Sequence, residues 1–348
     1  MLLTDHSFED ENHLIRAIDT LATAAGKRID PQQPLLEARL PDGSRLSIAM
    51  PPVALDGPLV AIRKFPPLPY TIDELIGFGT LSVEAAAFLR ACVMARANLL
   101  IAGGSSSGKT TLLNGLSAVI EANERIVTVE DAAELRLDQD HVCRLESIPT
   151  ASFGSGATLR ELVAHAVRMR PDRLIVGEVR GAEAFDLLQA LNTGHEGSLS
   201  TIHANSPRDA LARLETLALM AGYDLPIRAI RRQLVSSIDV IVHMTRRADG
   251  SRRVTRIAEV TGMEDDTVAT QDIFVSELAE AHGPGGTRLL PTGIRPRTLE
   301  RIIRRGVRVP ELQRLFPQER VKSPIEARRP VAANASNGGT PTADRRRA

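Results

Sequence analysis

The chain has 348 residues, enough for two domains with sizeable cores, and 43% hydrophobic with 25% charged residues is ordinary globular usage, not that of a fibrous or membrane protein. Lys plus Arg and Asp plus Glu balance at 43 each, so no overall basic field argues for nucleic acid or an anionic membrane, and no direct nucleic-acid binding is expected. No apolar run approaches a membrane span, the polar and acidic start does not suit a secretion signal, and Cys92 and Cys143 lack metal-type spacing and read as buried thiols of a reducing compartment.

Residues 1–65 read as a small α/β domain. Leu14, Ile15, Ile18 and Leu21 have helical spacing over His13 to Ala25, with Gly26 as the stop. Leu36, Ala38 and Leu40 alternate with polar residues before Pro41-Asp42-Gly43, and Leu46, Ile48 and Met50 do so after it, which predicts a hairpin. Leu59 to Ile62 is a further strand leading into Arg63-Lys64. These two cations read as solvated charges from spacing alone, although a cation just before a linker can reach a ligand on the next domain. Phe65-Pro66-Pro67-Leu68-Pro69 continues neither strand nor helix, so residues 66–70 are taken as the linker.

The second domain, residues 71–282, is predicted to be α/β. Ser82 is a suitable N-cap for a helix over Val83 to Arg96. Leu99-Leu100-Ile101-Ala102 reads as a buried strand, and Gly103-Gly104-Ser105-Ser106-Ser107-Gly108-Lys109-Thr110-Thr111 follows the pattern G-x-x-x-x-G-K-[ST] and opens a helix to Ser117. A glycine-rich linker could match the bare pattern by chance. Between a strand and a helix, however, small residues let backbone N–H groups converge on phosphate, Lys109 adds a full charge, and the Thr110 hydroxyl can bind Mg²⁺.

Arg125 to Val129 is the next core strand and delivers Glu130, Asp131 and then Glu134; Leu135 to Leu145 alternates like a hairpin around Asp138-Gln139-Asp140. Thr158 and Glu161 form a capping box for a helix that Pro171 ends. Leu174 to Gly177 is another apolar strand, ending in Glu178. Each acid alone could be a helix N-terminal charge. Two acid-tipped strands after a phosphate loop meet a specific need, since phosphoryl transfer to water requires Mg²⁺ held by few protein groups and an orienter or base for the water. Glu130 is assigned to positioning or deprotonating that water, and Glu178 to the magnesium shell.

A helix is expected over Gly181 to Asn192, then a short strand flanked by His195 and His203. A lone histidine is usually a satisfied polar residue, and no third ligand makes a metal site; His203, on a strand next to the Glu178 strand, suits a γ-phosphate sensor better than His195. Helices follow at Pro207 to Met220 and Pro226 to Ile238, then a strand meander over Asp239–Met244, Arg252–Val260 and Ile273–Val275. In the C-terminal extension, residues 283–348, Arg297 to Arg304 reads as one more helix, and composition predicts disorder from about Pro324.

The loop Gly103–Thr111, the stretch Ile126–Leu135, the run Met169–Glu183 and Thr193–Asn205 together resemble the Walker A, Asp box, Walker B and His box of the type II/IV secretion ATPases. Ile62-Arg63-Lys64-Phe65 and Asn205-Ser206-Pro207-Arg208-Asp209-Ala210 resemble the CpaF subfamily, the motor of Flp/Tad pilus assembly. The resemblance implies a RecA-like P-loop domain after a small PAS-like α/β domain, here partial at its N-terminus. It further implies ATP and Mg²⁺ as ligands, Arg63 reaching the phosphates, a cytoplasmic homohexamer, and work passed to an inner-membrane platform protein. Type IV secretion or conjugative transfer motors share all four motifs, and a non-hydrolysing nucleotide sensor is the third reading; intact Lys109, Glu130 and Glu178 argue against it. The family usually has Gly where Ser106 stands, and nucleotide binding is expected to survive that change.

Overall fold

The computed structural model describes residues 3–64, 69–148, 156–278 and 287–317. Most of the linker, the Gly283–Gly286 stretch and the tail from Pro324 lie outside them.

Helix α1 (Glu11–Ala24) starts where the Asp10 side chain accepts from the His13 N–H, and turns Ile18 and Ala22 inward. Strands β1 (Leu35–Arg39), β2 (Arg45–Ala49) and β3 (Leu59–Arg63) form an antiparallel sheet in that order. Leu36, Leu46 and Ile48 meet α1 in a small core of their own, as period-2 alternation requires. The opposite sheet face ends in a row of cations, because Arg39 is paired in register with Arg45 and Arg45 with Arg63. Like charges directly opposite one another repel. Each is offset by a carboxylate: Glu146 for Arg39, Glu37 for Arg45 and Glu134 for Arg63.

The rest of the described chain surrounds a nine-stranded sheet. In chain order its elements are α2 (Ile72–Gly77), α3 (Val83–Met94), β4 (Leu99–Gly103), α4 (Lys109–Ser117), β5 (Ile126–Glu130), β6 (Val142–Glu146), α5 (Leu159–Arg168), β7 (Arg173–Val179), α6 (Glu183–Asn192), β8 (Leu199–His203), α7 (Pro207–Leu219), α8 (Ile227–Ser237), β9 (Val240–Arg246), β10 (Arg252–Glu264), β11 (Thr267–Leu278), β12 (Thr287–Pro291), α9 (Thr298–Arg304) and α10 (Pro310–Leu315). The strand order is β12-β11-β10-β9-β4-β8-β7-β5-β6. Strands β6 through β9 pair in parallel, and β10, β11 and β12 extend the sheet antiparallel.

Successive residues of the central strands serve opposite faces. Leu99 and Ile101 join one core with α2, α3 and α4, whereas Leu100 and Ala102 join the other with α5 through α8. Apolar residues fill both faces, which is why these strands read as continuous apolar runs. The expected α/β fold is present.

Two expectations change. Residues 135–145 form no hairpin: Val142–Glu146 pairs in parallel with β5 as the sheet edge. Gln139 donates to the Ser117 and Ile120 carbonyls, holding the intervening stretch against the end of α4. Nor does the main core stop near residue 282. Leu289, Leu299, Ile302, Leu312 and Phe316 belong to it, and Phe316 packs edge-on against Phe88 and Phe274 with centroids 6.2 and 6.1 Å apart.

Candidate functional site

The glycine-rich turn leaves β4 between the carboxyl ends of β8 and β9, since Gly103 is in register with His203 on one side and Met244 on the other. A side chain at Gly103 would meet the Met244 carbonyl at 2.5 Å and Ser107 Oγ at 2.6 Å, so only glycine fits there. Gly108 enters α4 at φ +97°, and Ser106 sits in the same left-handed region at φ +57°. The turn therefore uses at Ser106 a conformation that glycine adopts without strain, a demand that spacing alone did not reveal.

Lys109 is 9% exposed. Its Nζ donates to the Gly103 and Gly104 carbonyls at 3.1 Å each and lies 3.7 Å from Glu178 Oε1. Burial pulls its pKa down, and the facing Glu178 carboxylate partly opposes this. Ser105, Ser106, Ser107, Gly108, Lys109, Thr110 and Thr111 all line one cavity of about 830 Å³, the size of a pocket for a nucleotide-sized ligand. The cavity is also bordered by Arg63, Lys64, Arg136, Arg180 and Arg252, against two carboxylates, Glu134 and Glu178. Pro69, Leu75 and the edge-on aromatic pair Tyr70 and Phe78 add apolar lining to the same cavity. Cationic and apolar lining in one cavity suits a phosphate ester carrying a flat, weakly polar group.

Glu130 departs from expectation. It is 2% exposed and does not border the cavity. Its Oε2 accepts from the Glu134 and Leu135 N–H groups at 2.8 and 2.9 Å, and its buried Oε1 has no protein partner. Burial raises its pKa against the pull of those two N–H groups. Glu130 thus pins the loop after β5, and the carboxylate that this loop presents to the cavity is Glu134. Glu134 Oε2 lies 3.3 Å from Arg63 Nη2, and burial raises its pKa, with Arg63 opposing. An E-D-x-x-E pattern after a strand was the available signal, because a clamped turn places its fourth residue back over the strand end.

Glu178 and Arg63 both border the cavity. His203 ends β8 beside Gly103, but its ring does not border it, and His195 instead contacts the Pro171 carbonyl through Nδ1 at 3.2 Å. Sequence reasoning passed over Arg180, Arg136 and Arg252. Arg252 Nε donates to the Ser106 carbonyl at 3.4 Å.

The donor set fits Mg²⁺, which keeps most of its water and takes few protein groups. Thr110, next in the chain to Lys109, and Glu178, 3.7 Å from Lys109 Nζ, both border the cavity, as does Ser107, whose buried hydroxyl lacks a protein partner. Among the described residues no cluster of three or more His, Cys, Asp or Glu could hold a metal by itself. No described helix is long and apolar enough to cross a membrane.

Comparison with known proteins is consistent with this geometry. A Mycobacterium tuberculosis protein named for conjugal transfer is 39% identical over 295 residues, covering 78% of this chain and 83% of that protein. The type IV secretion system protein PtlH of Bordetella pertussis is 40% identical over 268 residues, covering 68% and 78%. The X-ray structure of the Yersinia pseudotuberculosis ATPase DotB shares the fold, with a TM-score of 0.52 at 21% identity over 74% of this chain and 69% of that one. The family model described as type II/IV secretion system protein matches residues 4–333, and the chain belongs to that family.

Proposed function

We propose that the chain is an ATP hydrolase that powers transport through a cell-envelope machine. The observation that carries this reading is the grouping of Lys109, Thr110, Glu178 and Glu134 around one cationic cavity at the carboxyl ends of the parallel strands. The backbone of Gly103–Thr111 and Lys109 would cradle the triphosphate, with Arg63 reaching it from the small sheet. Thr110 and Glu178 would hold Mg²⁺, which neutralises phosphate charge when bound. Glu134, raised in pKa by burial, is placed better than Glu130 to orient the water and accept its proton. His203, paired with Gly103, would register phosphate loss through the strand. Arg63 lies in the small sheet and Glu134 in the large one, so phosphate contacts can bias their relative position and hydrolysis can release it.

The small sheet and the large sheet support a division into units at 1–65 and from 71 on, joined by residues 66–70. The working form is proposed to be a cytoplasmic homohexamer seated on an inner-membrane platform. Two clients remain. Ile62–Phe65 and Asn205–Ala210 favour a Flp/Tad pilus motor of the CpaF type, whereas the names of the M. tuberculosis and B. pertussis relatives support conjugative or type IV transport equally well.

Phosphate release tests the core claim. Lys109→Ala, Glu178→Gln and Glu134→Gln are each expected to lower turnover about 100-fold or more, and Glu130→Gln less. A wild type no faster than Lys109→Ala, measured on the assembled ring identified by its mass, would refute the motor.

A further inference from the structure

One guanidinium joins the ends of two neighbouring strands. Arg180 follows β7 directly, and its Nε and Nη2 donate to Glu178 Oε2 at 2.7 and 2.6 Å. Its Nη1 donates to Asp131 Oδ2 at 2.8 Å. Asp131 follows β5 directly and is itself braced, since its Oδ1 accepts from Ser147 Oγ at 2.9 Å. The torsion that turns a glutamate carboxylate is soft, so an unpinned Glu178 could present either oxygen anywhere over a wide arc. With Oε2 occupied by two donors, Oε1 is the oxygen left facing Lys109 Nζ. The Asp131 link also ties Glu178 to the loop that carries Glu134.

We propose that Arg180 is a positioning residue: it holds the Glu178 carboxylate, and through Asp131 the Glu134 loop, in the arrangement that the magnesium shell and the water require. The proposal rests on the hydrolysis reading above. Its worth is orientation and not stability, because the Arg180 side chain is 54% exposed and solvated ion pairs contribute little to folding. A bidentate fork is needed to seal one oxygen and reach a second carboxylate, and lysine has no such fork.

The test compares Arg180→Gln, Arg180→Lys, Asp131→Asn and the Arg180→Gln/Asp131→Asn pair, using phosphate release and the affinity of a fluorescent ADP analogue with and without Mg²⁺. Arg180→Gln is expected to lower kcat about 10–100-fold, the usual range for a partner that orients a ligand. Its nucleotide affinity without Mg²⁺ should stay within about threefold of wild type, while the gain in affinity on adding Mg²⁺ shrinks about tenfold. Arg180→Lys should not restore either property, and the double variant should be no worse than Arg180→Gln, as coupled residues require.

Turnover and Mg²⁺ gain both left within threefold of wild type would overturn the proposal. So would a Mg²⁺-free affinity that falls as far as kcat, since Arg180 would then bind phosphate directly. If wild type shows no Lys109-dependent hydrolysis, the hydrolysis reading fails by itself, and the Mg²⁺ gain in ADP affinity still decides the role of Arg180.

Discussion

Replacing Glu124 by Gln probes what holds the amino ends of the parallel strands together. Glu124 precedes β5 and is 5% exposed, and Arg173, the first residue of β7, is 1% exposed. Arg173 donates from Nε and Nη2 to the two Glu124 oxygens at 2.7 and 2.9 Å, and from Nη1 to the Gly197 carbonyl at 3.0 Å. Arg96 adds a third donor at 2.7 Å. Gln keeps the shape but removes the charge and turns an NH₂ toward guanidinium donors, leaving Arg173 buried without a counter-ion. Breaking a buried pair from one side destabilises by about 3–5 kcal/mol. Arg96 is about one-third exposed and can regain water, so the lower end, about 3 kcal/mol, is expected. For a unit of this size that lowers Tm by roughly 6–12 °C. Urea denaturation followed by far-UV circular dichroism reads the loss as a shift in midpoint at constant slope. A loss below about 1 kcal/mol at unchanged slope would show that water reaches Arg173 and that the pair is not a buried one.

Two further outcomes follow from the site. Ser106 occupies φ +57° at a strain of about 1 kcal/mol relative to glycine, and Ser106→Gly relieves this while loosening the unfolded chain by a similar amount. ATP affinity measured by calorimetry should therefore differ by less than about threefold; a wild type bound more than tenfold more weakly would contradict the claim that serine is accommodated. Glu130 has its folded pKa raised above 4.5 by burial, so it binds its proton more tightly in the folded state than in the unfolded chain. Its contribution to stability is complete below 4.5 and is lost as pH rises through the folded pKa. Glu130→Gln, which can still accept from the Glu134 and Leu135 N–H groups, should flatten that part of the stability-against-pH curve, and an unchanged curve would exclude the assignment.

How much could be read beforehand differs by element. The glycine-rich turn, the capping box at Thr158 and the N-cap at Ser82 are local devices whose partners lie within a few residues, and all are present. The supposed hairpin over 135–145 failed because alternation cannot tell an antiparallel return from a parallel edge strand. Helix α10 was missed because six residues carry too little periodicity; its place depends on Phe316 meeting Phe88 and Phe274 from distant segments.

Sequence alone determined the chemistry available: a backbone cradle, a lysine, a hydroxyl and acids at strand ends, because those depend on spacing along the chain. Only the tertiary structure decided which acid faces the cavity. The Glu130 side chain turns back onto the N–H groups of its own loop, so Glu134 takes the position that borders the cavity, and Arg180 reaches across from the end of β7 to Asp131 to brace the neighbouring carboxylate. Those outcomes depend on burial and on which strands become neighbours, and neither is encoded in residue spacing.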